Sequence, residues 1–487
     1  MKNLVTSLML DGPNKRCFSL LTILERMQNI ETQELADLVG TSKRTINSDI
    51  NDIRHFFGPV IDLYGTNKGM RLVINDYTAF YHTKRKYLEH DPLMTILQAI
   101  FYGSKLFLNE WAERLSFSGS TVSRMINSTQ AILAEYDLAI SKSPVCIQGD
   151  ELSIRKFYFD FFNETSFLEI NAFVNACQPK LVDIILEEVE FISIKKVQCI
   201  VNLVLHRIDT ICLPLNKKGI ATIKEQPVIY KLFDTLRMSS CFTQISTETL
   251  YSEVYFMYFM LYAHWDNRRQ TGITLTGNSE TAEDFGEALK IVISQELPEL
   301  DTRQLDHWIQ DFLARQYAKV CINKVFLKNT IGTNSFAKSI HPSLHKKVHQ
   351  YLVSETIPIH FDNAYKEDIC ASLLLYLFVN RVIHSPLKVV VILSSDSAID
   401  ESAHIVFENF FKERVKIYYE EELTYAQYTE ISCDVIVTNI IPFHYPTDQF
   451  PHYVYLSKYA SMQEIIRLAA TILSNNFHKE KFEEKIL

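Results

Sequence analysis

At Leu387 the spacing of apolar residues in this 487-residue chain changes period, and that change limits what the chain can fold into. Ahead of it, from about residue 160 to 385, apolar residues recur at helical spacing with short turn signals between, as in "IKKVQCIVNLVLHRIDTICL" and "ETLYSEVYFMYFMLYAHWDNRR". Behind it, "LKVVVILSS" is a continuous β-branched run, the pattern of a strand buried on both faces. "DESAHIVFENFFKE", "VKIYY", "CDVIVTNI", "YVYLS" and "SMQEIIRLAATIL" then alternate helix and strand patterns, which predicts a small α/β domain with a mostly parallel sheet over 387–487. The helical stretch divides into two all-helical bundles, 161–275 and 276–386, each the size of an ordinary domain.

The first 160 residues carry a third pattern. "KRCFSLLTILERMQ" places Phe18, Leu21, Leu24 and Met27 at helical spacing. Thr32 is the expected N-cap of a short helix, "TQELADLVG", and Gly40 closes it. Ser42 can cap a third helix, "SKRTINSDINDIRHFF". Two alternating runs around "GTNKG" then read as a hairpin. Helix, helix, tight turn, helix and hairpin make a winged helix-turn-helix over 1–76. The plan repeats over 77–160: "PLMTILQAIFYG" with Pro92 in its first turn, "FLNEWAERL", the turn "SFSGS", "STVSRMINSTQAILAEY", and a hairpin around Ser143 and Pro144. The fold class is therefore mainly α and multidomain: two winged helix-turn-helix domains, two helical bundles and a C-terminal α/β domain.

The third helix suggests a use. Ile46, Ile50 and Ile53 fall on one side, to pack on the first two helices. Arg44, Asn47, Asn51 and Arg54 fall on another, with Lys43 at the start. Asn and Arg read base edges, while Ser, Thr and Lys contact phosphates, so Ser42, Thr45, Ser48 and the wing residue Lys68 complete a candidate DNA-binding set. The second unit offers Ser120, Thr121, Arg124 and Asn127, and it could instead be a structural copy. The plainer reading of the first helix is a solvated face, since Asp49 and Asp52 lie among its basic residues. That mixture, with tandem wings over a long footprint, predicts limited dependence on base sequence and a larger part for DNA shape.

Composition narrows the class. Residues 1–160 hold 18 basic and 18 acidic residues, and the remaining 31 basic and 40 acidic residues carry the net charge of −9. Apolar residues at 47% and charged residues at 22% belong to a folded chain. The N-terminus lacks a signal-peptide pattern, and the most apolar stretches are about half the ~20 residues that span a bilayer. Nine cysteines without a CxxC pair argue against zinc and a disulfide framework, so a cytoplasmic protein is expected. No nucleotide-binding loop or nucleophile–base set stands out, so neither an enzyme nor a cofactor is expected. His341, His345 and His349 recur at i, i+4 and i+8, but Lys346 and Lys347 between them oppose a cation, and no metal site is expected.

The domain order resembles the Mga/AtxA family of virulence transcriptional regulators of Gram-positive bacteria. The resemblance is carried by "LLTILERMQNIETQELADLVGTSKRTINSDINDIR", "GDELSIRKFYFDFF" and "LVLHRIDTI" and covers essentially the whole chain. It implies that the bundles are PRDs, domains that sense the sugar phosphotransferase system through histidine phosphorylation by its phosphocarrier protein. His206 then matches one candidate phosphoacceptor and His264 a second, with Arg207 placed to hold the phosphate. In the second bundle "SLLLYLFVNRVIH" is apolar where a histidine would be expected, which leaves His345 and His384 as substitutes. The last domain would resemble a phosphotransferase enzyme IIB. Its first loop, "LSSDSAID", has Ser394 and Ser395 where the enzyme has a nucleophilic cysteine, and Cys433 opens a later strand. That implies a sheet kept without phosphotransfer and used to form a homodimer or higher oligomer. The resemblance implies double-stranded promoter DNA as partner and no membrane. A second reading keeps the bundles but makes the chain an RNA-binding antiterminator, or a regulator acting through protein contacts.

Overall fold

A computed structural model describes residues 4–9, 12–25, 30–66, 69–165, 174–188, 194–208, 212–239, 242–264, 280–297, 302–329, 333–354, 363–379, 389–393, 397–411, 415–419, 435–438, 452–455, 465–466 and 469. The chain is mainly helical. It forms two compact units, one of Met1–Asn334 with Val348–Leu373, the other of Ser335–Lys347 with Leu374–Leu487.

The first unit opens with α1 (Leu4–Leu8), α2 (Pro13–Leu24), α3 (Thr32–Val39), α4 (Lys43–Phe57), β1 (Ile61–Thr66) and β2 (Gly69–Ile74). The residue capping α3 is Glu31, in extended conformation and without a side-chain bond, and Thr32 is already helical. Gly40 ends α3 at φ 76°, the left-handed conformation that costs glycine least. Ser42 caps α4 by accepting from the Thr45 N–H at 3.2 Å. Ile46, Ile50 and Ile53 of α4 are buried against Leu20, Leu21 and Leu35, and each such side chain removed from water contributes roughly 1.5–3 kcal/mol. Asp49, also on the inward side, is held by Arg16 of α2 through bonds of 2.9 and 3.1 Å. β1 pairs antiparallel with β2, and Ile30 bridges Met70 on the far side of β2, so β1 is the outer edge of the wing.

The second helix-turn-helix follows: α5 (Tyr77–Glu89), α6 (Pro92–Phe101), α7 (Leu108–Leu115), α8 (Gly119–Ala134), β3 (Ala139–Lys142) and β4 (Val145–Gln148). No element is assigned from sequence where α5 stands; Asp76 starts it by accepting from the Ala79 N–H, and Phe80 and Leu88 are buried on it. Trp111, Val122, Ile126 and Val145 form this unit's own small core.

Next is α9 (Glu151–Thr165), a helix that runs across residue 160 and is buried on every side. Beyond it lie α10 (Val174–Glu188), α11 (Ile194–Arg207), α12 (Lys217–Ile223), α13 (Pro227–Met238), α14 (Thr247–His264), α15 (Glu280–Glu296), α16 (Thr302–Ile322), α17 (Thr333–Ile340), α18 (Pro342–Val353) and α19 (Lys366–Val379). No separate helix is assigned from sequence to α12, α13 or α17. One apolar core runs from Phe18, Leu93 and Phe101 through Phe157 and Phe161 of α9 to Val201, Phe256 and Ile322.

The second unit contains most of α17, the first half of α18 and the end of α19, together with β5 (Val389–Leu393), α20 (Ser397–Phe411), β6 (Val415–Tyr419), β7 (Val435–Thr438) and β8 (His452–Tyr455). The strands form a parallel sheet in the order β6-β5-β7-β8. All five residues of the central β5 are buried, as its unbroken apolar run requires. Ser394, Ser395, Cys433 and His384 lie outside the described residues, as do most residues of "SMQEIIRLAATIL".

Candidate nucleic-acid interface

The two helix-turn-helix units superpose in sequence at a constant offset of 76. Ala36 and Ala112 each accept from the two N–H groups that close α3 and α7: Gly40 and Thr41 in the first unit, Ser116 and Phe117 in the second. Ser116 is left-handed at φ 59°, as Gly40 is at φ 76°. Ser42 and Ser118 cap the third helices through the N–H groups of Thr45 and Thr121, at 3.2 and 3.1 Å, with hydroxyl–hydroxyl bonds of 2.9 and 2.8 Å to the same threonines. Ile46 and Val122, then Ile50 and Ile126, fill equivalent buried positions. Sequence spacing alone had suggested a repeat; shared cap geometry makes it a structural one.

On α4 the outer face is formed by Lys43, Arg44, Asn47, Ser48, Asn51 and Arg54, all exposed, with Thr45 half-buried under the cap. Lys43 and Arg44 stand in the first turn, at the end of a recognition helix that reaches base edges. The hydroxyls of Ser42 and Thr45 are used on each other. Arg54 is turned sideways: its Nε donates to the Leu63 carbonyl of β1 at 2.5 Å and its Nη1 to Asn51 Oδ1 at 3.0 Å. Lys68 lies outside the described residues. Equivalent positions on α8 are poorer in charge. Ser120, Arg124 and Asn127 are exposed and Thr121 is half-buried, with Ser120 also bonded to the cap hydroxyl of Ser118 at 2.9 Å.

The sequence reading missed the groups that fix these faces. Asp49 interrupts the basic stripe in sequence but faces inward to Arg16, so it subtracts nothing from the outer face. Lys142 of β3 donates to Ser123 of α8 at 3.0 Å, and the Ile140 N–H donates to Gln130 Oε1 at 3.3 Å. A polar residue twelve places after the N-cap serine is the only sequence signal these ties leave.

The histidines are dispersed. His206 lies in the last turn of α11 with its ring 5.6 Å from Phe101 and 5.0 Å from Tyr102, and burial lowers its pKa. Its Nε2 is buried without a hydrogen-bond partner among the described residues. Arg207 does not stand free beside it, because Glu151 takes its guanidinium at 2.7 and 2.6 Å. His264 stacks on Phe159 at 4.8 Å, and burial, then the charges of Lys196, Lys319, Lys156 and Arg315, hold its pKa well below the usual histidine value. His341 precedes α18 rather than joining its face, accepting from the Leu344 N–H at 3.3 Å; His345 and His349 lie on that helix. No group of His, Cys, Asp or Glu among the described residues could hold a metal ion. No described helix is long and apolar enough to cross a membrane.

Two tandem helix–turn–helix–wing units with polar outer helices define a helix-turn-helix protein. Residues 77–162 match the family model of the Mga helix-turn-helix domain. A protein of Streptococcus pneumoniae serotype 4 (strain ATCC BAA-334 / TIGR4), described as a putative trans-acting regulator, is 23% identical over 188 residues. That match covers 38% of this chain and 38% of the relative. One match is to an Mga helix-turn-helix domain and the other to a protein described as a regulator, so the likeness is to an Mga-like regulator family.

Proposed function

We propose that the chain regulates transcription by binding duplex DNA through α4 and, more weakly, α8, with the wings on the flanking backbone. The observation that carries this reading is the exposed face of α4: two cations in the first turn, amides at Asn47 and Asn51, Asp49 neutralised behind it, and Asp52 the one acid of the helix left exposed. Such a face offers donors to base edges and phosphates alike. Few side chains reach bases, so selectivity rests largely on DNA shape and bending. The test compares binding to labelled duplex DNA and to hairpin RNA. Tighter binding to duplex, lost on Lys43→Ala/Arg44→Ala, supports the reading; preference for the hairpin would favour an antiterminator instead.

The finer reading assigns the helical region to PRD-type control and residues 387–487 to an enzyme IIB-like assembly domain in the cytoplasm. Phosphate from the phosphocarrier protein would enter at His206 or His264, whose imidazoles are held neutral and therefore nucleophilic. Arg207 is committed to Glu151, so a phosphate on His206 would have to draw it away. That exchange would act on α9 and so on the second helix-turn-helix. Incubation with phosphorylated phosphocarrier protein, followed by mass mapping of phosphohistidine, tests it; label absent from both histidines removes them as acceptors.

A further inference from the structure

Both third helices are tied to their wings from the same place. Arg54 lies twelve residues after the cap Ser42, and Gln130 twelve after the cap Ser118. Each bonds the main chain of the first wing strand: Arg54 donates to the Leu63 carbonyl, and Gln130 accepts from the Ile140 N–H. The two side chains differ in charge and in the sense of the bond. What they share is a position and a target.

In the first unit the tie has a second consequence. β1 uses one edge for β2 and leaves the other toward α4, so the Leu63 carbonyl would lack a strand partner. The planar guanidinium of Arg54 supplies it while also donating to Asn51 Oδ1. An Arg donor fixes which end of the Asn51 amide is oxygen. The Nδ2 group, with two N–H donors, is then the end of Asn51 left for a ligand. Arg54 itself stands in the last turn of α4, far from the first-turn residues Lys43 and Arg44 that lead a recognition helix into the groove.

Resting on the DNA-binding reading above, we propose that Arg54 is a positioning residue of the interface: it clamps the first wing to α4 and turns Asn51 so that its amide donors face the DNA. Asn51 then favours base edges rich in acceptors, such as N7 and O6 of guanine or O4 of thymine, over the paired donor and acceptor of adenine. The wing's outer face, where Tyr64 stands opposite Arg71, keeps its angle to the reading helix through the same clamp.

Charge and geometry separate in the variant Arg54→Lys, which keeps the cation and loses the planar fork. In the full chain without DNA, hydrogen exchange of residues 61–66 should quicken about tenfold in Arg54→Lys and Arg54→Gln, the loss expected of one charge-assisted bond, while α2 stays protected. With duplex DNA, both variants should bind roughly tenfold more weakly, and Arg54→Lys should add less than threefold to the effect of Arg71→Ala. Preference for guanine or thymine at the base read by Asn51 should also flatten in Arg54→Lys. If wing exchange is unchanged, there is no clamp and the proposal falls. If Arg54→Lys binds like the parent while Arg54→Gln does not, Arg54 is a phosphate contact and the proposal is equally overturned. Failure of the underlying DNA reading shows separately, as Lys43→Ala and Arg44→Ala without effect on affinity, and leaves the exchange result standing.

Discussion

Arg155 and Glu253 are 98 positions apart and meet in the core through hydrogen bonds of 2.6 and 2.8 Å, with side chains 0% and 1% exposed. Arg155 also reaches Glu151 at 2.9 Å and the Arg207 carbonyl at 3.1 Å, and its guanidinium lies over Phe256. Burial opposes its charge, but Glu253 and Glu151 more than offset that and raise its pKa. The residue joins α9, where the Mga helix-turn-helix match ends, to α11 and α14 of the helical region.

Removing one member of that pair leaves a buried charge unpaired. Glu253→Ala should cost about 3–5 kcal/mol, whereas Arg155→Met/Glu253→Leu should recover much of it. Urea unfolding followed by circular dichroism measures both. A double variant as unstable as the two single losses added together would show that the pair is not one coupled unit.

Stability should fall as the medium turns acidic through the histidine range. His264 and His206 have lowered pKa values, so the fold favours their neutral forms and the unfolded chain takes up protons first. Their contribution is complete above the unfolded value of 6.5 and is lost as pH drops from there toward the folded values. Each group can add up to about 1.4 kcal/mol per pH unit. His264→Gln should flatten the dependence between pH 7 and 5.5, and an unaltered slope would refute the burial account.

Salt dependence should separate the two helices. Lys43→Ala/Arg44→Ala should reduce the slope of log affinity against log salt by about 1.8, and Arg124→Ala by about 0.9, if each cation meets one phosphate. Fluorescence anisotropy across a range of salt concentrations gives the slopes. Equal effects of the double and single variants would remove the distinction between α4 and α8.

Two glycines of the first helix-turn-helix should respond differently to alanine. At Gly69, φ is +112° and a Cβ would lie 2.4 Å from the Ile30 carbonyl oxygen, a backbone atom that cannot move aside cheaply. Gly69→Ala should cost at least about 2 kcal/mol. Gly40, at φ +76° with open space around it, should lose only about 1 kcal/mol. Thermal melts rank them, and similar losses would mean that the close approach at Ile30 relaxes freely.

Assembly is expected to depend on residues 387–487. Light scattering should find the full chain as a dimer and a chain ending at 386 as a monomer. A folded, truncated dimer would move the contact into the helical region.

Much of the candidate interface could be read from residue order alone, because its signals are local. Helical spacing of Ile46, Ile50 and Ile53 decides which side of α4 is buried, and the opposite side follows from the 3.6-residue period. Ser42, Gly40 and Pro92 act within one turn of their own positions. The unbroken run at Val389–Leu393 required a strand covered on both faces, and the parallel pairing of β5 with β6 follows from the crossover helix α20 between them. What only the tertiary structure decided depends on partners far apart in the chain. Asp49 looked like a flaw in a basic stripe until Arg16 was found behind it, 33 residues away. Arg54 and Arg207 read as free cations because sequence shows a charge but not what lies against it; one is spent on the Leu63 carbonyl, the other on Glu151. Most of all, nothing local marks α9 as buried on every side, since Arg155, Lys156 and Asp160 look like a solvated face. Lys156 and Asp160 pair within one turn of α9, but Glu253 reaches Arg155 and Tyr136 reaches Asp160 only through the fold, and a charge can leave water only where such partners await it.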